Sequence, residues 1–282
     1  MDGAAAGPGP VGAPAPYALG DSDPALDRLG HLSRVYAEAT GSWLGSLGLE
    51  PGMSVVDLGC GRGDVTLAAA ALVGPTGTVT GVDASGRPLS LARQQAEQAG
   101  AVNVSFEQGD VTRWLPAEPV DAVLGRLLLM HLPDPVALVA RLREAVRPGG
   151  LIGFQDIVLG TRTSQPPLPL LTAFNTWLLE TFLRLGRPVD MGLRLAAVFA
   201  AAGLPDPALT VGGRVERGAA ADGWALIVGD VRTLLPQMEQ TGVATAAEIE
   251  PATFEERLRA QAAAADAVLV NPLLVGVSAR TG

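Results

Sequence analysis

The sequence predicts an α/β fold: a mostly parallel sheet with helices on both faces. Three observations predict it. Short β-branched runs such as Ser54-Val55-Val56-Asp57-Leu58 are apolar almost throughout, as strands buried on both faces must be. Segments of helical length alternate with such runs from residue 54 to residue 156. The first run then breaks into Gly59, Gly61 and Gly63 and resumes as the helical stretch 65–72. A strand, a glycine loop and a helix start in that order form a nucleotide-binding turn. Glycines admit positive φ and close approach of a ligand, and the helix start supplies free N–H groups.

From the amino end, residues 1–16 are Ala, Gly and Pro with little to bury, and are expected to be a disordered tail. Tyr17 follows, and Asp21-Ser22-Asp23-Pro24 is a helix start with an early proline. Leu26, Leu29, Leu32, Val35 and Tyr36 recur at helical spacing, so residues 17–50 read as a helical cap over the sheet edge. Arg28, His31 and Arg34 on that helix face either solvent or a ligand. The α/β pattern begins after Pro51-Gly52, with strands over 54–58, 78–83, 102–106 and 151–156, and a fourth over 121–130 that runs into a short helix. Helices fill 64–72, 87–98 and 135–146, and Arg147-Pro148-Gly149-Gly150 turns the chain into the fifth strand. The back half reads as a proline-rich loop at 163–169, an apolar helix at 170–185 and a helix at 191–202. A sixth strand follows over 209–216, with a bulge at Gly212-Gly213. Helices at 224–240 and 251–265 precede a last strand over 267–278.

Composition narrows the function. The 282 residues carry a net charge of −9, which disfavours binding to nucleic-acid phosphates. All 20 basic residues are arginine, and without lysine the loop is no phosphate-binding G-K-[ST] loop. The single cysteine, Cys60, excludes an intramolecular disulfide and a cysteine-rich metal site. No His/carboxylate cluster at ligand spacing is visible, so no metal is expected. Residues 1–16 lack a basic start and an apolar core, and no run reaches the roughly 18 apolar residues of a membrane span. A cytoplasmic protein with no membrane or nucleic-acid partner is expected.

The loop departs from the dinucleotide fingerprint G-x-G-x-x-G. Its D-L-G-C-G-R-G form, Asp57 to Gly63, resembles motif I of the class I S-adenosylmethionine (SAM) dependent methyltransferases. Asp83 ends the second strand about 20 residues on, where an α/β nucleotide fold sets a carboxylate against ribose hydroxyls. Gly109-Asp110-Val111 and Arg147-Pro148-Gly149-Gly150 then match the family in order. The four signals cover residues 50–160 and look most like bacterial small-molecule enzymes related to ubiquinone and menaquinone C-methyltransferases.

The resemblance implies a Rossmann-like seven-stranded sheet whose last strand pairs antiparallel at the edge, in one domain over 17–282 with a helical insertion at about 162–188. It implies SAM as cofactor, with Asp57, Gly59, Cys60 and Gly61 around its amino-acid end and Asp83 with Ala84 at its ribose. Asp110 and Val111 would edge the adenine, with Trp114 or Leu115 on its face, unless Asp110 merely caps a turn. Arg126 is placed at the SAM carboxylate or in the acceptor wall.

The implied substrate is a small, largely apolar metabolite of secondary metabolism, walled by Tyr17, His131, Asp156 and Trp177. His131 follows the fourth strand at the carboxyl edge of the sheet and is the candidate base, or else orients its own turn. Two other readings stay open: a SAM-binding enzyme catalysing a non-methylating reaction such as a cyclisation, or a non-catalytic SAM-binding subunit. A homodimer is also left open.

Overall fold

A computed structural model describes residues 22–282, so the expected tail and Tyr17 lie outside the described residues. Helix α1 (Asp23–Ser46) leads into β1 (Ser54–Leu58), α2 (Asp64–Val73), β2 (Thr78–Asp83) and α3 (Gly86–Gln98). Strand β3 (Val104–Gln108) begins two residues later than the apolar run suggests. Then come β4 (Val120–Arg126), a single 3-10 turn at Leu129–His131, α4 (Pro135–Ala145) and β5 (Val146–Val158). Asp134 caps α4, its side chain accepting from the Ala137 N–H, with Pro135 in the first helical position. The expected turn at Arg147–Gly150 is instead an irregular start to β5. Val146 pairs with Val120, the register shifts, and regular pairing resumes at Leu151 opposite Ala122.

The seven-stranded sheet has the order β3-β2-β1-β4-β5-β10-β7, where β7 is Ala208–Gly212 and β10 is Leu273–Arg280, with β1 to β5 parallel. Neighbouring residues of one strand enter different cores. Val55, Ala122 and Leu124 pack with α2 and the end of α1, whereas Val56, Val123 and Ile152 pack in the larger core. Period-two alternation with both faces apolar is what buries the sheet between two helical layers.

Four expectations about the strands are corrected. The run at 209–216 breaks at Gly213-Arg214 into β7 (Ala208–Gly212) and β8 (Val215–Arg217), rather than bulging within one strand. The terminal run likewise splits at Asn271-Pro272 into β9 (Val268–Val270) and β10 (Leu273–Arg280), because proline has no N–H for a ladder. Strand β10 does not lie at the sheet edge. It sits between β5 and β7, antiparallel to both, and β7 forms the edge. The stretch read as a proline-rich loop contains β6 (Thr163–Gln165), which joins β9 and β8 in a small second sheet.

Helices α5 (Pro169–Arg184), α6 (Met191–Ala201) and α7 (Asp222–Gln240) surround the carboxyl side with α1, and α8 (Ala246–Ile249) and α9 (Phe254–Ala264) follow. Among the described residues no helix is long and apolar enough to cross a membrane.

Candidate active site

The carboxyl ends of β1, β2 and β4 open into a cavity of about 1610 Å³, continued beneath α1, α5, α6 and α7. Local geometry explains the glycines at its mouth. Gly59 has φ +68°, and a Cβ there would stand 3.0 Å from Leu128 Cδ1. Gly61 has φ +53° with nothing within 4 Å of its Cβ direction, so the backbone faces open space. Gly63 at φ +84° is the N-cap of α2 and faces Phe106 and Ala92. The Gly59 and Cys60 N–H groups both donate to the Val82 carbonyl, at 2.8 and 3.0 Å, pinning the loop to β2. Arg62 reaches back over Gly30 towards the Leu26 carbonyl and ties the loop to α1.

Each acid has its own setting. Asp57 is buried beneath the loop and accepts from Thr66 Oγ1 at 2.7 Å, and burial pushes its carboxyl up to about 7. Asp83 accepts the Gly61 N–H through Oδ2 and the Ser85 N–H through Oδ1, both at 2.9 Å. Burial raises the Asp83 carboxyl against those bonds. Asp110 caps its turn, with Oδ1 accepting from the Thr112 N–H and hydroxyl, and the Thr112 hydroxyl holds its carboxyl below the usual range. It also lines the cavity, so the two readings of this residue do not compete.

Arg126, at the end of β4, is buried. Its Nη1 donates to Thr40 Oγ1 at 3.1 Å, and its Nη2 lies 4.0 Å from Asp64 Oδ2. Ser33 of α1 also donates to Asp64, so α1, α2 and β4 converge on one polar corner.

The structure brings Asp57, Gly59, Cys60 and Gly61 to one cavity with Asp83, Ala84, Asp110, Val111 and Arg126, and His131 joins them. Burial pushes the Cys60 thiol far up, as expected of a small filler and not of a nucleophile. His131 sits on the 3-10 turn, its carbonyl accepting from Arg187. Burial first, then the positive charge of Arg187 and Arg28, pushes its imidazole down to about 3.

Other expectations are corrected. Asp156 does not wall the cavity. It lies buried behind the turn, Oδ2 accepting the Met130 N–H at 3.1 Å and Oδ1 the Ile157 N–H at 2.9 Å. Trp177 packs on the apolar core, and from the same helix Leu178 and Phe182 reach the cavity instead. Trp114 donates to Glu107 at 3.0 Å and Leu115 is exposed, so neither reaches the cavity. On α1, Arg28 faces the cavity whereas His31 and Arg34 do not.

The sequence reading missed Asp230 of α7 and Arg162, which also face the cavity. One signal was available: Asp230 interrupts an apolar stripe four residues from both Leu226 and Leu234, and a charge in a buried stripe needs a partner.

Comparison with known proteins is decisive for the class. Residues 49–179 match the family described as a methyltransferase domain. Residues 49–179 thus carry a methyltransferase domain. Within it, the chain is 39% identical over 109 residues to trans-aconitate 2-methyltransferase of Azoarcus sp. (strain BH72), covering 38% of this chain and 40% of that protein. It is 37% identical over 119 residues to aklanonic acid methyltransferase of Streptomyces sp. (strain C5), covering 41% and 54%. The matches thus span about half the length of these relatives. A SAM-dependent methyltransferase from Aquifex aeolicus has the same fold, with a TM-score of 0.54 at 17% identity, covering 93% of this chain and all of that one.

The cofactor of this family is SAM, and the residues present fit it. The loop leaves an open cradle at Gly61, a strand-end carboxylate stands beside it, and a buried guanidinium matches an amino-acid carboxylate.

Proposed function

We propose that this protein transfers the methyl group of SAM to a small, largely apolar metabolite. One observation carries the reading: the glycine-loop cradle and an apolar-walled chamber form a single cavity, with His131 and Arg126 among the residues that line it. In this reading Gly59 to Gly61 and Arg126 hold the amino-acid end of SAM, Asp83 its ribose, and Asp110 with Val111 its adenine. The bound cofactor supplies a methyl group on a sulfonium, which leaves as a neutral thioether. The protein's task is alignment, and holding an acceptor in line can lower the barrier by about 7–11 kcal/mol at best.

His131 is proposed to face the acceptor as a neutral imidazole and to orient it there by a hydrogen bond, in place of the base that the sequence suggested. Asp156, which fixes the turn below it, is a positioning residue. The described part of the amino-terminal cap, 22–50, and residues of about 162–188 cap a single domain in this reading. A cytoplasmic role in natural-product biosynthesis completes the proposal, and relatives named for trans-aconitate and aklanonic acid support its small-molecule acceptor.

The deciding experiment incubates the protein with SAM and a pool of candidate acceptors. Mass spectrometry should find S-adenosylhomocysteine (SAH) together with a product heavier by one methyl. Cofactor binding with a converted acceptor but no SAH would instead mark a non-methylating enzyme.

A further inference from the structure

The far end of the cavity holds charge for which the cofactor has no use. Arg28 Nε donates to Asp230 Oδ1 at 2.5 Å, and Arg162 Nη2 donates to Asp230 Oδ2 at 3.3 Å. All three side chains are at least nine-tenths buried, and all three line the cavity. Two guanidiniums share one carboxylate, so the triad is a buried site with a net positive charge. Arg162 is the more exposed to that imbalance. Its side chain is 2% accessible, its Nε and Nη1 have no hydrogen-bond partner among the described residues, and its guanidinium carbon stands 5.1 Å from the Phe174 ring centre. Buried cations are ordinarily paired, and two idle donors on one favour an acceptor atom beside them.

Arg187 and Arg194 also line the cavity, Arg187 donating to the His131 carbonyl and Arg194 paired with Asp190 at 2.7 Å. At the cofactor end the balance reverses: Asp57, Asp64, Asp83 and Asp110 outnumber Arg62, Arg113 and Arg126. Between the cations of the far end the wall is apolar, formed by Leu178, Phe182, Met191 and Leu226.

We propose that the acceptor is an amphiphilic oxyanion, an apolar body carrying a carboxylate or an ionised enol or phenol, held against the Arg28–Asp230–Arg162 triad. A planar guanidinium matches two oxygens at once, and low dielectric strengthens the pairing. This rests on the methyltransferase reading and names the chemical class of its substrate.

Calorimetry with 2-naphthoate and 2-naphthamide tests it, because the two share a body and differ in charge. SAH is titrated first. If SAH fails to bind, the methyltransferase reading falls, and the naphthoate comparison is then made on the cofactor-free protein. The oxyanion site predicts naphthoate binding at least 10-fold tighter than naphthamide. Arg162→Met should abolish that preference and leave SAH and naphthamide affinities unchanged. Equal affinities in the parent, no saturable naphthoate binding, or a folded Arg162→Met with unchanged naphthoate affinity would overturn the proposal and leave the triad as a strut between α1 and α7. Should Arg162→Met not fold, Asp230→Asn is read instead. It removes the one anion and must tighten naphthoate, and an unchanged or weaker affinity counts against the site.

Discussion

The carboxylate of Asp156 accepts the backbone N–H of Met130 at 3.1 Å, so an acid on β5 fixes the turn that presents His131. Its second oxygen takes the Ile157 N–H at 2.9 Å, in a site only 1% exposed. Asp156→Ala strands these donors and should cost about 2–4 kcal/mol of stability, with a loss of turnover from the loosened turn. Urea unfolding followed by circular dichroism measures the first part. An unchanged midpoint would mean that the turn holds itself.

The same carboxyl gives a pH signature. Burial pushes Asp156, like Asp57, up to about 7, whereas an unfolded-chain aspartate titrates near 4. Between those values the folded chain keeps protons that the unfolded chain releases. Their contribution to stability is therefore full below about pH 4 and declines as pH rises towards about 7. From pH 5 to pH 7.5 the parent should lose more stability than Asp156→Asn, which has no proton to release. Equal losses in the two proteins would disprove the shift.

His131 should not titrate in the working range. With its imidazole pushed down to about 3 by burial and two arginines, it is neutral throughout pH 5–8. Turnover should show no imidazole limb there, yet His131→Ala should slow methyl transfer about 100-fold with SAM affinity intact, because the acceptor is no longer held in line. A limb near pH 6.5 that vanishes in His131→Ala would contradict this environment.

Arg126 can be tested with a smaller cofactor. If its guanidinium holds the amino-acid carboxylate, Arg126→Met should weaken SAM by roughly 2–3 kcal/mol and leave decarboxylated SAM nearly untouched, since only one of them carries the charge. Equal losses for both would assign Arg126 to the Thr40 and Asp64 corner alone.

Asp83 holds the Gly61 N–H and, in the proposed reading, also faces the ribose. Asp83→Ala should weaken SAH by about 1–3 kcal/mol, and Asp83→Asn, which keeps one acceptor oxygen, by less. Calorimetry with SAH reads both, and a full-affinity Asp83→Ala would remove the residue from the site.

Legibility in the sequence followed distance along the chain. The strand at 54–58, the glycine loop and Asp83 form a unit of about 30 residues whose signals are all local, so the fold and cofactor half of the cavity could be read directly. The charged triad could not, because Arg28 and Asp230 stand 202 residues apart and only the packing of α1 on α7 joins them. Helical spacing says that α5 buries a stripe but not what lies opposite each member. Trp177 therefore read as a wall residue although its neighbour Leu178 holds that place. The position of β10 was hidden for a similar reason: an apolar run announces a strand without naming its neighbours.

That position has a consequence for how the protein comes off the ribosome. Strand β5 is complete at Val158, yet its partner on one side, Leu273–Arg280, is made more than a hundred residues later. Until then β5 is a long apolar edge with open backbone donors and acceptors, the kind of template that recruits foreign strands. The nascent chain therefore passes through a stage in which its central layer is unfinished. Even a short deletion within 273–280 should turn a foldable protein into an aggregating one, although every residue lining the cavity is still present.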